Sequence, residues 1–263
     1  MKIVVAVKQV PDTNAEKTFD PQTKRLNRTA IENVLNPFDE YAIEEALRRK
    51  EAVGGDTTVT ILTMAPETGR EVVRKALAMG ADSAAMISAP ELAGSDTMAT
   101  SYVLALALQK IGFDLVLTGT QSTDAINSEV PAAVAERLGV PCLTYARKIE
   151  IDGQTIAVER EIEGGYIKVR APLPALVSVT KSANEPRYPS LKGIMGAKKK
   201  EIVALTLADI GADAAHVGDA GSKTQVESIA PVGARAKGTV IQVEDGGQAA
   251  QAIMDFLIAK KVV

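Results

Sequence analysis

The strongest constraint on the fold is a repeated alternation of short β-branched runs with helix-length segments, about 30 residues to the unit. Residues 2–8, 57–64, 84–88 and 114–119 are near-continuous apolar runs, the pattern of strands buried on both faces. Each is followed by a helical segment with its own punctuation. Asn36-Pro37-Phe38-Asp39 predicts a helix start, with Asn36 as cap, Pro37 at the first helical position and Asp39 complementing the dipole. That helix runs to about residue 51, with Ala42, Ile43, Ala46 and Leu47 on one face, and ends at Gly54-Gly55. Helices over 67–79, 97–111 and 130–138 follow, closed by Gly80 for the first and Gly139 for the third, with Ser95-Asp96 capping the second. The rhythm predicts an α/β fold: a doubly wound, mostly parallel sheet with helices on both faces. Residues 9–24 read as a loop or short hairpin, and 26–35 as either a strand or a short helix.

After residue 142, where another strand begins, the pattern changes. Residues 149–151 and 155–162 read as a hairpin turning at Asp152-Gly153, and Gly164-Gly165 turns the chain again, so antiparallel strands are added. A dense apolar strand over 173–180 leads into residues 183–200, which hold two prolines and two glycines and so predict neither a regular helix nor a central strand. That stretch still carries Tyr188, Leu191, Ile194 and Met195 ahead of Lys198-Lys199-Lys200. Two readings stand: a crossover whose apolar residues pack back on the parent domain, or a stiffened loop that docks on a partner. Residues 201–207 read as a last strand. Residues 208–236 look like an extended arm, and 246–263 regain a helix with Ala250, Ile253, Met254, Leu257 and Ile258 at helical spacing. The expected division is an α/β domain over 1–207 and a C-terminal arm and helix over 208–263.

Composition narrows the chemistry. A net charge of -3 gives no pull toward a nucleic-acid polymer or an anionic membrane, and 3% aromatics with no Trp argue against a base-stacking surface. One cysteine, Cys142, and one histidine, His216, leave no internal disulfide, zinc site or Cys/His couple, and favour the cytoplasm. No apolar run approaches a membrane span. There is no glycine-rich dinucleotide fingerprint and no phosphate-binding P-loop. A doubly wound sheet nevertheless makes a crevice beyond the carboxyl ends of its strands, here near residues 6–8, 63–65 and 119–121, with the start of the 130–138 helix behind it to hold a phosphate. Glu161 and Glu163, near Arg160 and Lys168, read as a solvated strand face.

Four motifs in order resemble one family. They are Leu35-Asn36-Pro37-Phe38-Asp39-Glu40 running on to Glu44-Glu45-Ala46; Lys75-Ala76-Leu77-Ala78-Met79-Gly80-Ala81-Asp82; the run from Val158-Glu159-Arg160-Glu161-Ile162-Glu163-Gly164-Gly165 to Ala171-Pro172-Leu173-Pro174; and the Ala183 to Lys200 stretch. The chain resembles, over roughly its whole length, the β subunit of electron transfer flavoprotein. The resemblance implies a heterodimer with an α subunit that holds most of a redox-active FAD. It implies an electron carrier rather than an enzyme, one that takes electrons from flavin dehydrogenases, such as acyl-CoA dehydrogenases in fatty acid oxidation, and passes them to a quinone oxidoreductase.

Carried onto matching positions, the resemblance implies AMP contacts at Ala6, at Asn36, Pro37, Phe38 and Asp39, and at Met64. Further contacts fall on the loop of Gly119, Thr120, Gln121, Ser122, Thr123, Asp124, Ala125, Ile126, Asn127, Ser128, Glu129 and Val130. It implies docking by Arg187, Tyr188, Pro189, Ser190, Leu191, Lys192, Gly193, Ile194, Met195 and Gly196, with Leu191 as anchor. Glu161 matches a glutamate that pairs with an α-subunit arginine and gates the flavin domain, and the C-terminal arm docks on the α subunit. Glu129 and Pro131 stand where the family has glutamine and glycine, and Thr13 where some relatives place a tyrosine beside the flavin. A carboxylate repels phosphate and proline removes an N–H donor. The crevice is therefore expected to hold AMP, to hold a second FAD with an NADH site as in electron-bifurcating relatives, or to be empty. A stand-alone adenine-nucleotide sensor is the remaining alternative.

Overall fold

A computed structural model describes all residues except 231, 234–237, 239, 241 and 244. In chain order the elements are β1 (Lys2–Ala6), β2 (Gln9–Pro11), β3 (Asn33–Leu35), α1 (Pro37–Val53), β4 (Thr58–Met64), α2 (Arg70–Met79), β5 (Ser83–Ile87), α3 (Thr97–Ile111), β6 (Leu115–Gly119), α4 (Val130–Leu138), β7 (Cys142–Asp152), β8 (Thr155–Ile162), β9 (Gly165–Pro172), β10 (Ala175–Val179), α5 (Leu191–Ala197), β11 (Ile202–Leu205), α6 (Gly218–Gly221) and α7 (Gly246–Ala259).

Among the described residues, nine strands form one sheet in the order β11-β5-β4-β1-β6-β10-β7-β8-β9, parallel from β11 through β7, with β8 and β9 added antiparallel. Alternate residues of β1 serve two cores. Ile3 and Val5 face α1 and α2 through Ile43, Leu47, Val73 and Leu77. Val4 faces α3 and α4 through Val103, Leu108 and Val134. The doubly wound architecture follows from strands that are apolar on both faces. The chain leaves β1 toward β4 on one side and returns to β6 on the other, so the topological switch point lies at the carboxyl end of β1.

Several sequence expectations need correction. Residues 26–35, open between a strand and a short helix, hold the short strand β3, paired antiparallel with β2, and a lone bridge from Leu26 to Phe19. Asn36 occupies the cap position of α1, but its side chain makes no cap hydrogen bond. The hairpin loop is Gly153-Gln154, since Asp152 still pairs with Thr155. Residues 191–197 do form a helix, capped by Ser190, whose Oγ accepts from Gly193 N. The prolines of that stretch lie before the cap, where they cost no helical hydrogen bond.

The compact unit runs from Met1 to Glu227. The expected boundary after residue 207 falls inside it, because Ile210 and Val217 are buried in the α3–α4 core and Asp96 accepts from the backbone N–H groups of Lys223 and Thr224. Residues 228–263 form a second unit, whose helix α7 is capped by Asp245 and leaves Ile253, Phe256 and Ile258 exposed. The expected arm includes 231, 234–237, 239, 241 and 244, which lie outside the described residues.

Candidate functional site

The carboxyl ends of β4, β1 and β6 open into a crevice of about 400 Å³, a size suited to a small ligand. Its floor is built around Asp39, on the first turn of α1. Asp39 is buried, and its carboxylate accepts from Lys8 N (2.8 Å), Gly119 N (3.3 Å) and Asn36 Nδ2 (2.9 Å). One side chain thereby joins the ends of β1 and β6 to the start of α1. Burial pushes Asp39 up to about 7, against the pull of these three donors. Asn36 extends the join: its Nδ2 also donates to Gln121 O (2.9 Å), and its Oδ1 accepts from Thr123 N (3.2 Å). Gly119 is required by this packing, because a Cβ there would lie 2.5 Å from Asp39 Oδ1 and 2.7 Å from the Phe38 carbonyl carbon.

One wall carries paired charge. Asp124 has a side chain only 2% exposed, and it accepts from Lys8 Nζ (2.8 Å) and from Arg28 Nη2. Burial raises its carboxyl, but the two cations more than offset this and hold it at about 2. Lys8 and Arg28 both line the crevice. Met64, Leu92, Leu104 and Val130 also line it and give it apolar surface. The start of α4 presents backbone N–H groups without intrahelical partners, although Pro131 removes one. Thr118 Oγ1, on the lining, is buried without a hydrogen-bond partner.

Of the residues carried over from the family, Ala6, Asn36, Asp39, Met64, Gly119, Thr120, Gln121, Ser122, Ala125, Asn127, Ser128 and Val130 line the crevice. Pro37, Phe38, Thr123, Asp124, Ile126 and Glu129 do not, and act on it from behind or stand outside it. Ile126 is exposed in a left-handed conformation (φ 57°), unusual for a β-branched residue. Glu129, the departure from the family pattern, turns aside: its Oε2 accepts from Thr97 Oγ1 (3.2 Å) and Asn127 Nδ2 (3.4 Å). Its carboxylate is thus held by two donors of the crevice lining rather than standing free in it. The size, the apolar surface, the unpaired Thr118 hydroxyl and the N–H donors of α4 fit an adenine nucleotide. Sequence reasoning placed Lys8 at the crevice only as the end of the first strand, without its charged role, and did not find Arg28 or the Gly94 to Thr97 turn, which also line it.

The 183–200 stretch lies elsewhere, against α1 and α2. Arg187 is held by Glu44 and Glu51 of α1. At the far end Arg74 Nη1 donates to Ala197 O and Lys200 O, and Lys200 Nζ donates to Leu77 O (3.1 Å). Between these ties Tyr188 (94% exposed), Leu191 (82%) and Met195 (71%) face solvent, with Ile194 less so. Pro189, Ser190 and Lys192 share the segment. Gly193 rests on α2, where a Cβ would meet Ala78 O at 2.4 Å, while Gly196 has open space.

Glu161, on β8 opposite Tyr166, makes no hydrogen bond or ion pair among the described residues. Two residues earlier, Glu159 is paired with Arg147 (3.0 Å) and lies 3.9 Å from Lys168.

Comparison with known proteins gives consistent matches. A family model described as "Electron transfer flavoprotein domain" matches residues 23–210. The chain is 42% identical to the electron transfer flavoprotein subunit beta of Megasphaera elsdenii, over 100% of both chains. It is 44% identical to the subunit of the same name from Mycobacterium tuberculosis, over 99% of each. It is also 38% identical, over 100% of both, to the caffeyl-CoA reductase-Etf complex subunit CarD of Acetobacterium woodii. Among the described residues no helix is long and apolar enough to cross a membrane.

Proposed function

The chain belongs to the electron transfer flavoprotein family as a β subunit, and from that premise we propose that it works as the docking and nucleotide-holding half of an electron carrier. It pairs with an α subunit that holds most of the FAD, and the pair moves electrons from flavin dehydrogenases, such as acyl-CoA dehydrogenases, to a quinone oxidoreductase. FAD supplies the redox chemistry; this chain's residues supply recognition and assembly. The carrying observation is the segment around Leu191. Leu191 and Met195 on a short helix, and Tyr188 just before it, stand in solvent on a segment tied at both ends, an arrangement that favours a partner surface over a connector. Exposed Ile253, Phe256 and Ile258 on α7 offer an apolar face for the permanent α subunit. In the crevice, Asn36, Asp39 and the Gly119 to Ser122 turn would hold AMP, with its phosphate toward the α4 N-terminus.

Leu191→Ala tests the docking. Removing a central apolar anchor costs affinity, so the concentration of carrier needed for half-maximal dehydrogenase turnover rises about tenfold. Flavin content and α-subunit assembly stay at wild-type levels. Equal dehydrogenase kinetics for variant and wild type refute the role.

A second reading draws support from a specific feature. Lys8 and Arg28 put two cations on the crevice wall, and the crevice continues to the Gly94 to Thr97 turn, room and charge that suit a dinucleotide such as a second FAD in an electron-bifurcating complex with an NADH site. Quantifying nucleotides released from the purified α/β complex separates the readings. One FAD and one AMP per pair supports the carrier; two FAD, with reduction by NADH, supports the second.

A further inference from the structure

We propose that Arg187 is a positioning residue rather than a partner contact: clamped by Glu44 and Glu51, it pre-orders residues 188–197 and thereby sets the concentration at which the dehydrogenase is engaged. This rests on the docking reading given above. Four of the five guanidinium N–H donors are committed within the chain. Nε and Nη2 donate to Glu44 (2.7 and 3.1 Å), while Nη1 and Nη2 donate to Glu51 (2.6 and 3.1 Å). The Arg187 backbone N–H also donates to Glu44 Oε2 (3.2 Å). Two carboxylates on the two edges of a planar fork leave no edge for a third. Glu44 is itself buried and receives Arg48 Nε (2.9 Å) from its own helix, so the clamp has a fixed base.

The tie is reinforced on both sides. Asn184 Nδ2 donates to Tyr41 O of α1 (3.0 Å), and the far end is fastened to α2 through Arg74 and Lys200. Gly193 lies so close to Ala78 O that the helix between the ties has one seat. Within α5 only Ala197 is buried, so the solvent-facing apolar residues contribute little to holding the segment in place. The order comes from the ties. A binding segment that is already in its bound form avoids the ordering cost on association, and loosening it divides the affinity by the fraction still competent.

The test uses the purified α/β complex carrying Arg187→Lys or Glu51→Gln. Lysine keeps the charge and loses the fork; Glu51 is on the surface, so its amide variant folds. Two quantities are measured: hydrogen exchange of amides 188–197, and the separate KM and kcat of a flavin dehydrogenase with the complex as acceptor. Expected are faster exchange confined to 188–197, a KM raised about fivefold, and unchanged kcat and flavin content. Wild-type exchange in both variants overturns the clamp. Faster exchange with a wild-type KM overturns the docking reading on which the proposal rests. A fall in kcat at saturating complex makes Arg187 part of the transfer step and overturns its assignment as a positioning residue.

Discussion

Asp124→Asn is the sharpest probe of the crevice wall. The carboxylate is almost wholly enclosed and takes Lys8 and Arg28 at once. Its folded-state value of about 2, against an unfolded value near 3.9, is a difference just under two units, or roughly 2–3 kcal/mol at neutral pH. Because the folded value is depressed, the contribution is complete above the unfolded pKa and is lost as pH falls: about 1 kcal/mol remains at pH 3 and little at pH 2. The side chains of Lys8 and Arg28 are 42% and 43% exposed, and solvent screening of both lowers the expected neutral-pH figure to between about 1 and about 2 kcal/mol. Urea unfolding of wild type and variant, followed by circular dichroism at pH 7 and pH 3, measures this directly, since the other carboxylates cancel in the difference. The deficit of the variant should be roughly halved at pH 3. A deficit of equal size at both pH values, or none at pH 7, refutes the pairing argument. The same variant frees two cations on the lining, so its affinity for inorganic phosphate should rise.

Gly119→Ala places a methyl group against Asp39 and the Phe38 carbonyl, so the start of α1 must move. A cost of about 1–3 kcal/mol in thermal unfolding, with loss of co-purifying nucleotide, is expected; a melt within error of wild type would show that the join is pliable. Glu161→Gln removes a charge that has no partner among the described residues. Assembly with the α subunit should be intact and the inter-flavin electron transfer rate altered, measured by stopped flow; failure to assemble would make Glu161 structural.

The order of strands and helices was legible because its signals are local. Asp96 caps α3 by accepting from Met98 N and Ala99 N, and Gly139 closes α4 with φ 67°, as residue types alone require. What stayed hidden depends on partners distant in sequence. Asn36 reads as a cap, yet it meets Gln121 and Thr123, more than eighty residues on, and leaves the helix end to Asp39 and the backbone. Lys8 and Arg28 gain a role only once Asp124 is folded between them. The helix α5 was concealed by its glycines, and Gly193 is there because α2 passes too close for a side chain. Glu129 reads as a free charge beside a phosphate until Thr97 and Asn127 are seen to hold its carboxylate.

These distant partners converge on α1. Its first turn carries Asp39, which fixes the floor of the crevice, and its later turns carry Glu44 and Glu51, which hold the segment bearing Leu191. The same helix is packed on the sheet through Ile43, Ala46 and Leu47, so neither end can shift without cost to the core. A seventeen-residue helix is about 25 Å long, a rigid rod on the scale of the domain. The helix therefore does two separate jobs, one at its start through Asn36 and Asp39 and one from its middle to its last turn through Glu44 and Glu51. Substitutions at the helix start should perturb nucleotide retention first, and substitutions near its end should perturb docking first. A variant at Asp39 that changed dehydrogenase KM while leaving nucleotide content intact would break that division.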